Sequence, residues 1–219
     1  MVADKSESAN GDELRVTFLG IVTYDVLVAH ERLECDDSQT SRRDFIRTLF
    51  AALEGVVWQF RESIRGSAED LGELSPQLTM ALREISYSVG ENGKLIEQQR
   101  FIPLPTMIKL VTNVAKDLSP ALEININGKG WDDLKRTIVI RNRITHPKGT
   151  SDLTISADDT EIAWSGLMWL LSHVERVIES VCTAQADYLQ HLKTLVKELK
   201  SGDPMALEAY RNAITERNE

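Results

Sequence analysis

Ser156-Ala-Asp-Asp159 opens the stretch whose reading decides the fold. A Ser followed by an acid three positions later reads as a capping box and starts a helix. From there Leu167, Leu171, Val174, Ile178, Val181, Gln185, Tyr188, Leu192, Leu195 and Leu199 recur at alternating steps of four and three. That is a seam of period about 3.5, the repeat of helices that pack along their length. At about 1.5 Å per residue, Ser156 to Lys200 reaches nearly 70 Å, longer than a small domain is wide. The helix therefore kinks or its end projects. The first half of the seam is expected in the core, and Gln185 marks the change to a second half suited to a second copy or a partner. Gly202-Asp-Pro204 then separates a short terminal helix, Met205 to Glu216.

Upstream of that stretch the pattern is also helical. Asp44 to Ile64 carries Phe45, Leu49, Ala52, Leu53, Val56, Phe60 and Ile64 at helical spacing, with Gly66 as the expected stop. Leu14 to Leu33 reads as an earlier helix, divided from it by the polar run Glu34 to Ser41. Ser75-Pro76 opens another, continuing through Ile85 to a break at Gly90-Glu-Asn-Gly93. Phe101-Ile-Pro-Leu-Pro105 is extended or irregular, because each Pro biases its predecessor away from the α region. Thr106 to Leu118 and Trp131 to Thr145 are helices closed by Ser119-Pro120 and His146-Pro147. No segment reads as a strand. The expected fold is all-α, an antiparallel helical bundle with a long C-terminal helix. Residues 1–12 form an expected flexible tail, 13–200 a single domain, and 201–219 a short helical extension. Trp131, Trp164, Trp169 and Cys182 are expected in the core, and His173 and His191 at the surface or its boundary.

The 219 residues hold 25 Lys+Arg, 34 Asp+Glu and 42% apolar residues. This composition excludes disordered, collagen-like and disulfide-scaffold classes. No apolar run reaches the roughly 18 residues of a membrane span, and the polar start lacks a secretory signal's basic and apolar regions. Cys35 and Cys182, far apart, fit a reducing cytosol. A net charge of −9 argues against a polyanion partner, whose affinity comes from neutralised phosphates. Yet residues 129–148 hold six bases (Lys129, Lys135, Arg136, Arg141, Arg143, Lys148) against Asp132 and Asp133, a local +4 that leaves −13 elsewhere. A basic island on an acidic body focuses phosphate at one cleft.

The chemistry lies in Gly130-Trp-Asp-Asp-Leu-Lys-Arg-Thr-Ile-Val-Ile-Arg-Asn-Arg-Ile-Thr-His-Pro-Lys148. At about 100° per residue, Trp131, Leu134, Ile138 and Thr145 share a face, with Arg141 and Asn142 on or beside it and Ile140 and Ile144 opposite. A guanidinium so close to an apolar face must be paired or must line a crevice. Pro147 turns His146 out of the helix at its carbonyl end, which favours a cation. These groups suit phosphodiester chemistry on RNA. Arg141 can fork a phosphate, His146 can move a proton to or from a 2′-hydroxyl or a leaving oxygen, and Asn142 can orient either. No ligand cluster for a metal is visible, and no cofactor is expected.

Arg141-Asn142-x-x-x-His146 resembles the R-N-x-x-x-H form of the Rx4–6H motif of HEPN domains. The flanks are similar to those of bacterial HEPN-like proteins: Gly130-Trp131 before the helix, Pro147-Lys148 after it, then Asp152-Leu153-x-Ile155-Ser156. The resemblance covers roughly residues 42–180. It implies a helical bundle, usually a homodimer, with two copies of the motif in one cleft. Active members are metal-independent endoribonucleases of toxin–antitoxin, abortive-infection and antiphage systems. The resemblance thus implies catalytic roles for Arg141, Asn142 and His146, RNA as partner, and a cognate antitoxin or regulator. Arg143, Lys148 and Lys135 are the accompanying candidates for substrate binding, and Glu54, in Ala52-Leu-Glu-Gly55, matches a polar position of an earlier helix. Members silenced by nucleotidylation carry a Tyr two residues after the His. Here that residue is Lys148, so that route of regulation is not expected.

A second reading stays open. Arg141 then pairs a carboxylate of another helix, His146 is a polar cap, and the chain is a non-catalytic helical module that binds a partner protein or nucleotide. Cys35, Asp36, Asp37 and His30 read as a polar interhelix loop rather than a metal site, and Gly128-Lys-Gly130 as a turn rather than a phosphate loop.

Overall fold

The computed structural model describes residues 17–216; the expected tail, 1–12, lies outside them. The chain is predominantly helical. Its elements are α1 (Phe18–Cys35), α2 (Gln39–Asp70), α3 (Pro76–Leu82), β1 (Ile85–Val89), β2 (Leu95–Gln99), α4 (Leu104–Leu118), α5 (Lys129–Thr145), a 3₁₀ turn (Thr150–Leu153), α6 (Ala157–Ser201) and α7 (Pro204–Glu216). Among the described residues no helix is long and apolar enough to cross a membrane.

α2 is the centre, packing against α1, α4, α5 and α6. Its Phe45, Leu49, Leu53, Phe60 and Ile64 are fully buried, as are Ile108 of α4, Leu134 of α5, and Leu167 and Leu170 of α6. Each such side chain contributes roughly 1.5–3 kcal/mol. That is why α2 runs through Gly66 instead of stopping there. A mid-helix Gly costs about 1 kcal/mol, and burial of Ile64 and Ala68 on either side outweighs it.

The strandless expectation fails at residues 85–99. There β1 and β2 form an antiparallel hairpin with Ile85 opposite Gln99 and Val89 opposite Leu95. The turn Gly90-Glu-Asn-Gly93 closes through Gly90 N–H to Lys94 O and Gly93 N–H to Gly90 O, both 2.9 Å, with Gly93 at φ +73°. Asn-Gly supplies the positive φ such turns need. The helix expected through Ile85 ends at Leu82.

α6 begins with the capping box expected of Ser156 and Asp159 and ends at Gly202, φ +76°. Its core stripe is wider than the period-3.5 seam, because Ala163, Gly166, Leu170, His173 and Val177 are buried beside it. His173 is therefore interior, not at the surface. Its Nε2 lies 2.8 Å from Thr112 Oγ1, and its ring stacks on Trp169 at 5.0 Å and meets Phe60 edge-on. Cys182, expected in the core, is exposed one residue past Val181. Trp131 is buried, whereas Trp164 and Trp169 are half-buried. Burial of the seam stops near Gln185, whose Oε1 takes a hydrogen bond from Ser67 at the end of α2. Beyond it Tyr188, Leu192 and Leu195 are exposed.

Candidate functional site

α5 crosses α6 closely, because Gly166 has no side chain. A Cβ there would meet the Leu134 backbone at 2.9–3.0 Å, and one at Gly130 would meet Trp169 at 2.5 Å. Nearby, Asp133 is buried; its Oδ2 accepts from Lys129 at 2.6 Å and from Ser165 of α6 at 2.7 Å. Burial opposes its charge, but these hydrogen bonds and the neighbouring cations hold the carboxyl below its usual range. The buried stripe of α5 is Trp131, Asp133, Leu134, Thr137, Ile140 and Ile144. Ile140 and Ile144 thus share the covered face rather than opposing it, and Thr145 is exposed. Arg141 falls at the edge of this stripe, half-buried, and Asn142 just outside it.

At that edge α5 meets α2 in an open crevice of about 400 Å³, lined by Arg47, Phe50, Ala51, Glu54, Arg141, Ile144 and Thr145. The Arg141 guanidinium lies over the Phe50 ring, 4.4 Å from its centroid. Nη1 donates to Asn142 Oδ1 at 3.0 Å, and Nη2 reaches Glu54 Oε1 at 3.4 Å. The Glu54 side chain is 53% exposed, so this ion pair is worth about 0–1 kcal/mol. A phosphate held by charge-assisted bonds, each worth about 1.5–3 kcal/mol, competes with it. Arg47 and Phe50 were not singled out by the motif. Their signal was helical: residues 47, 50, 51 and 54 follow the i, i+3, i+4, i+7 spacing of one face of α2.

His146 caps α5 at φ −125°, ψ 59°, its N–H closing the last turn on Asn142 O at 3.0 Å. Its ring is exposed and has no hydrogen-bond or ion-pair partner among the described residues. It does not line the crevice; it stands just past the crevice's Thr145. The following segment is pinned. Gln39 exchanges two hydrogen bonds with the Ile155 backbone, 2.9 and 2.8 Å, and Arg43 donates to Leu153 O. Lys148 N–H bonds Asp152 Oδ2 at 2.7 Å, while its side chain is exposed.

The basic island is partly neutralised in space. Lys135 faces Asp132 at 2.8 Å, and Lys129 and Arg136 face Asp133. Arg143 is bound to Asp159 Oδ2 at 3.0 Å, the carboxylate that also caps α6. Arg141, Lys148 and, from α2, Arg47 are the cations with least opposition around the motif.

No protein-family model, curated protein or solved structure matches the chain.

Proposed function

We propose that the chain is a metal-independent endoribonuclease of the HEPN type, acting as a cytosolic homodimer in a toxin or antiphage-defence role. The carrying observation is an open, cation-lined crevice beside a helix cap whose exposed imidazole has no hydrogen-bond or ion-pair partner among the described residues. In this reading Arg141, with Arg47, forks the scissile phosphate and stabilises the charge developing on it. Asn142 orients Arg141 through the hydrogen bond it already accepts. The 2′-hydroxyl oxygen attacks the adjacent phosphorus and the bond to the 5′-oxygen breaks, leaving a cyclic phosphate and a free hydroxyl. His146 transfers a proton in this exchange, and the His146 of a second copy is suited to the complementary transfer. Lys148 attracts the strand, Lys135 contributing less because it faces Asp132, and a cognate antitoxin or regulator is the expected protein partner.

Incubation with RNA in EDTA tests this beside His146→Ala and Arg141→Ala. Wild type is expected to cleave and both variants to fail; equal cleavage by all three sinks the assignment. The second reading, a non-catalytic module binding a protein or nucleotide, is favoured by the Arg141–Glu54 pair, and it requires that wild type leave RNA intact.

A further inference from the structure

Glu54 and Ala51 line not one cavity but two. Beyond them along α2 lies a larger cavity of about 640 Å³, bounded by α1, by α2 and by the segment entering α4. We infer that this second cavity receives an unpaired base of the RNA strand whose phosphate lies at Arg141, with Trp58 as its stacking platform. The inference rests on the ribonuclease reading above and deepens it.

The two cavities divide their chemistry. The crevice at Arg141 sets two guanidinium groups against one carboxylate and has little exposed aromatic surface. The cavity at Trp58 sets Glu54 and Glu84 against Arg61, which repels a phosphate, and surrounds them with rings. Trp58 is 48% exposed and Phe18 48%, their rings edge to face at 5.7 Å; Phe101, across the cavity, is 80% exposed. Aromatic platforms bearing a few fixed polar groups hold single-stranded bases, whose faces stack and whose edges hydrogen-bond.

The polar groups are fixed at some cost. Glu84 is the one non-glycine residue at positive φ, +54°, among the described residues, a conformation costing on the order of 1–2 kcal/mol. Its carboxylate accepts from Arg61 Nη1 at 3.0 Å and from Ile102 N–H at 2.8 Å, and its carbonyl from Arg100 N–H at 2.7 Å. Arg61, 13% exposed, is thereby held in place. Its Nε is buried with no hydrogen-bond partner, the nearest carboxylate oxygen, of Glu62, being 3.4 Å away. Gly55 keeps the floor open, since a Cβ there would meet the Phe18 ring at 3.1 Å. From Arg47 to Trp58 along α2 is about 16 Å, a span that a short strand covers with its phosphate in one cavity and a base in the other.

The test compares two short single strands by fluorescence anisotropy. One is mixed-sequence RNA, 2′-O-methylated to prevent cleavage; the other is the same backbone without bases. Trp58→Ala is expected to weaken the RNA about tenfold and leave the abasic strand unchanged, Trp58→Phe to keep most of the affinity, and Arg141→Ala to weaken both strands. If Trp58→Ala matches wild type on RNA, the base site is wrong, while a loss with Arg141→Ala still supports the phosphate site. Equal weakening of both strands by Trp58→Ala also overturns the base site. Failure of wild type to bind either strand overturns the ribonuclease reading, and the base site with it.

Discussion

The two ends of α5 are built from similar residues to opposite purposes. At its start, the buried Asp133 accepts hydrogen bonds from Ser165 and from the exposed Lys129, and Gly166 lets the backbones of α5 and α6 touch. At its end, the Arg141 guanidinium lies over the Phe50 ring and bonds a half-exposed Glu54 and its own neighbour Asn142, and the exposed His146 ring has no hydrogen-bond or ion-pair partner among the described residues. Charge at the first end is consumed by the fold. Charge at the second is held in position and left open to a ligand. A charged residue on a helix therefore says little by itself; what matters is whether the neighbouring helix brings an acceptor that satisfies it.

The largest effect that sharpens this contrast is on activity. His146→Ala or Arg141→Ala is expected to lower RNA cleavage by about 10²–10⁴-fold while the free energy of urea unfolding stays within about 0.5 kcal/mol of wild type. A variant that loses activity only because it unfolds would make the two ends alike. The opposite signature belongs to the first end. Gly166→Ala pushes a methyl group into the Leu134 backbone and is expected to cost about 1–3 kcal/mol, read from urea unfolding. An unchanged midpoint would mean that the crossing yields and is not the rigid support described.

His173 offers a test of that support through pH. Burial of its ring, with Arg176 and Lys116 adding positive charge nearby, holds its pKa down to about 4, against 6.5 ordinarily. The unfolded chain therefore binds a proton first. Stability is full above about pH 6.5, falls as pH drops towards 4, and levels below that. The loss is on the order of 3 kcal/mol. His173→Gln, which keeps a partner for Thr112, should remove that part of the slope. A variant whose profile parallels wild type would show that the ring is solvated.

Much of this frame was legible because its signals are local. The capping box at Ser156, the break at Gly202 and the cap at His146 each need only a few neighbours. The hairpin was not, since five-residue strands resemble a frayed helix until Asn92-Gly93 is weighed as a turn. His173 was missed because a seam of period 3.5 is narrower than the stripe α6 buries. Arg141, Asn142 and His146 are candidates that the motif names. The motif does not reach Arg47 and Phe50, because the face they form with Glu54 is completed by α5, 87 residues downstream of Glu54. The neutralisation of Arg143 was equally hidden, since Asp159 comes from the next helix.

Glu54 is where the smallest measurement decides most. If Arg141 were paired for stability, Glu54→Gln would destabilise the fold, as at a buried pair broken on one side, by about 3–5 kcal/mol. The geometry argues otherwise: at 3.4 Å, with Glu54 53% exposed, the pair is screened and worth little. Glu54→Gln should therefore change the unfolding free energy by no more than about 0.5 kcal/mol. It should also tighten the 2′-O-methylated strand by roughly two- to fivefold at low salt, because a negative charge leaves the phosphate's neighbourhood, and the gain should shrink as salt rises. A stable variant with weaker RNA binding would recast Glu54 as a ligand contact. A destabilised one would move the far end of α5 into the same class as the near end, with its arginine consumed by the fold.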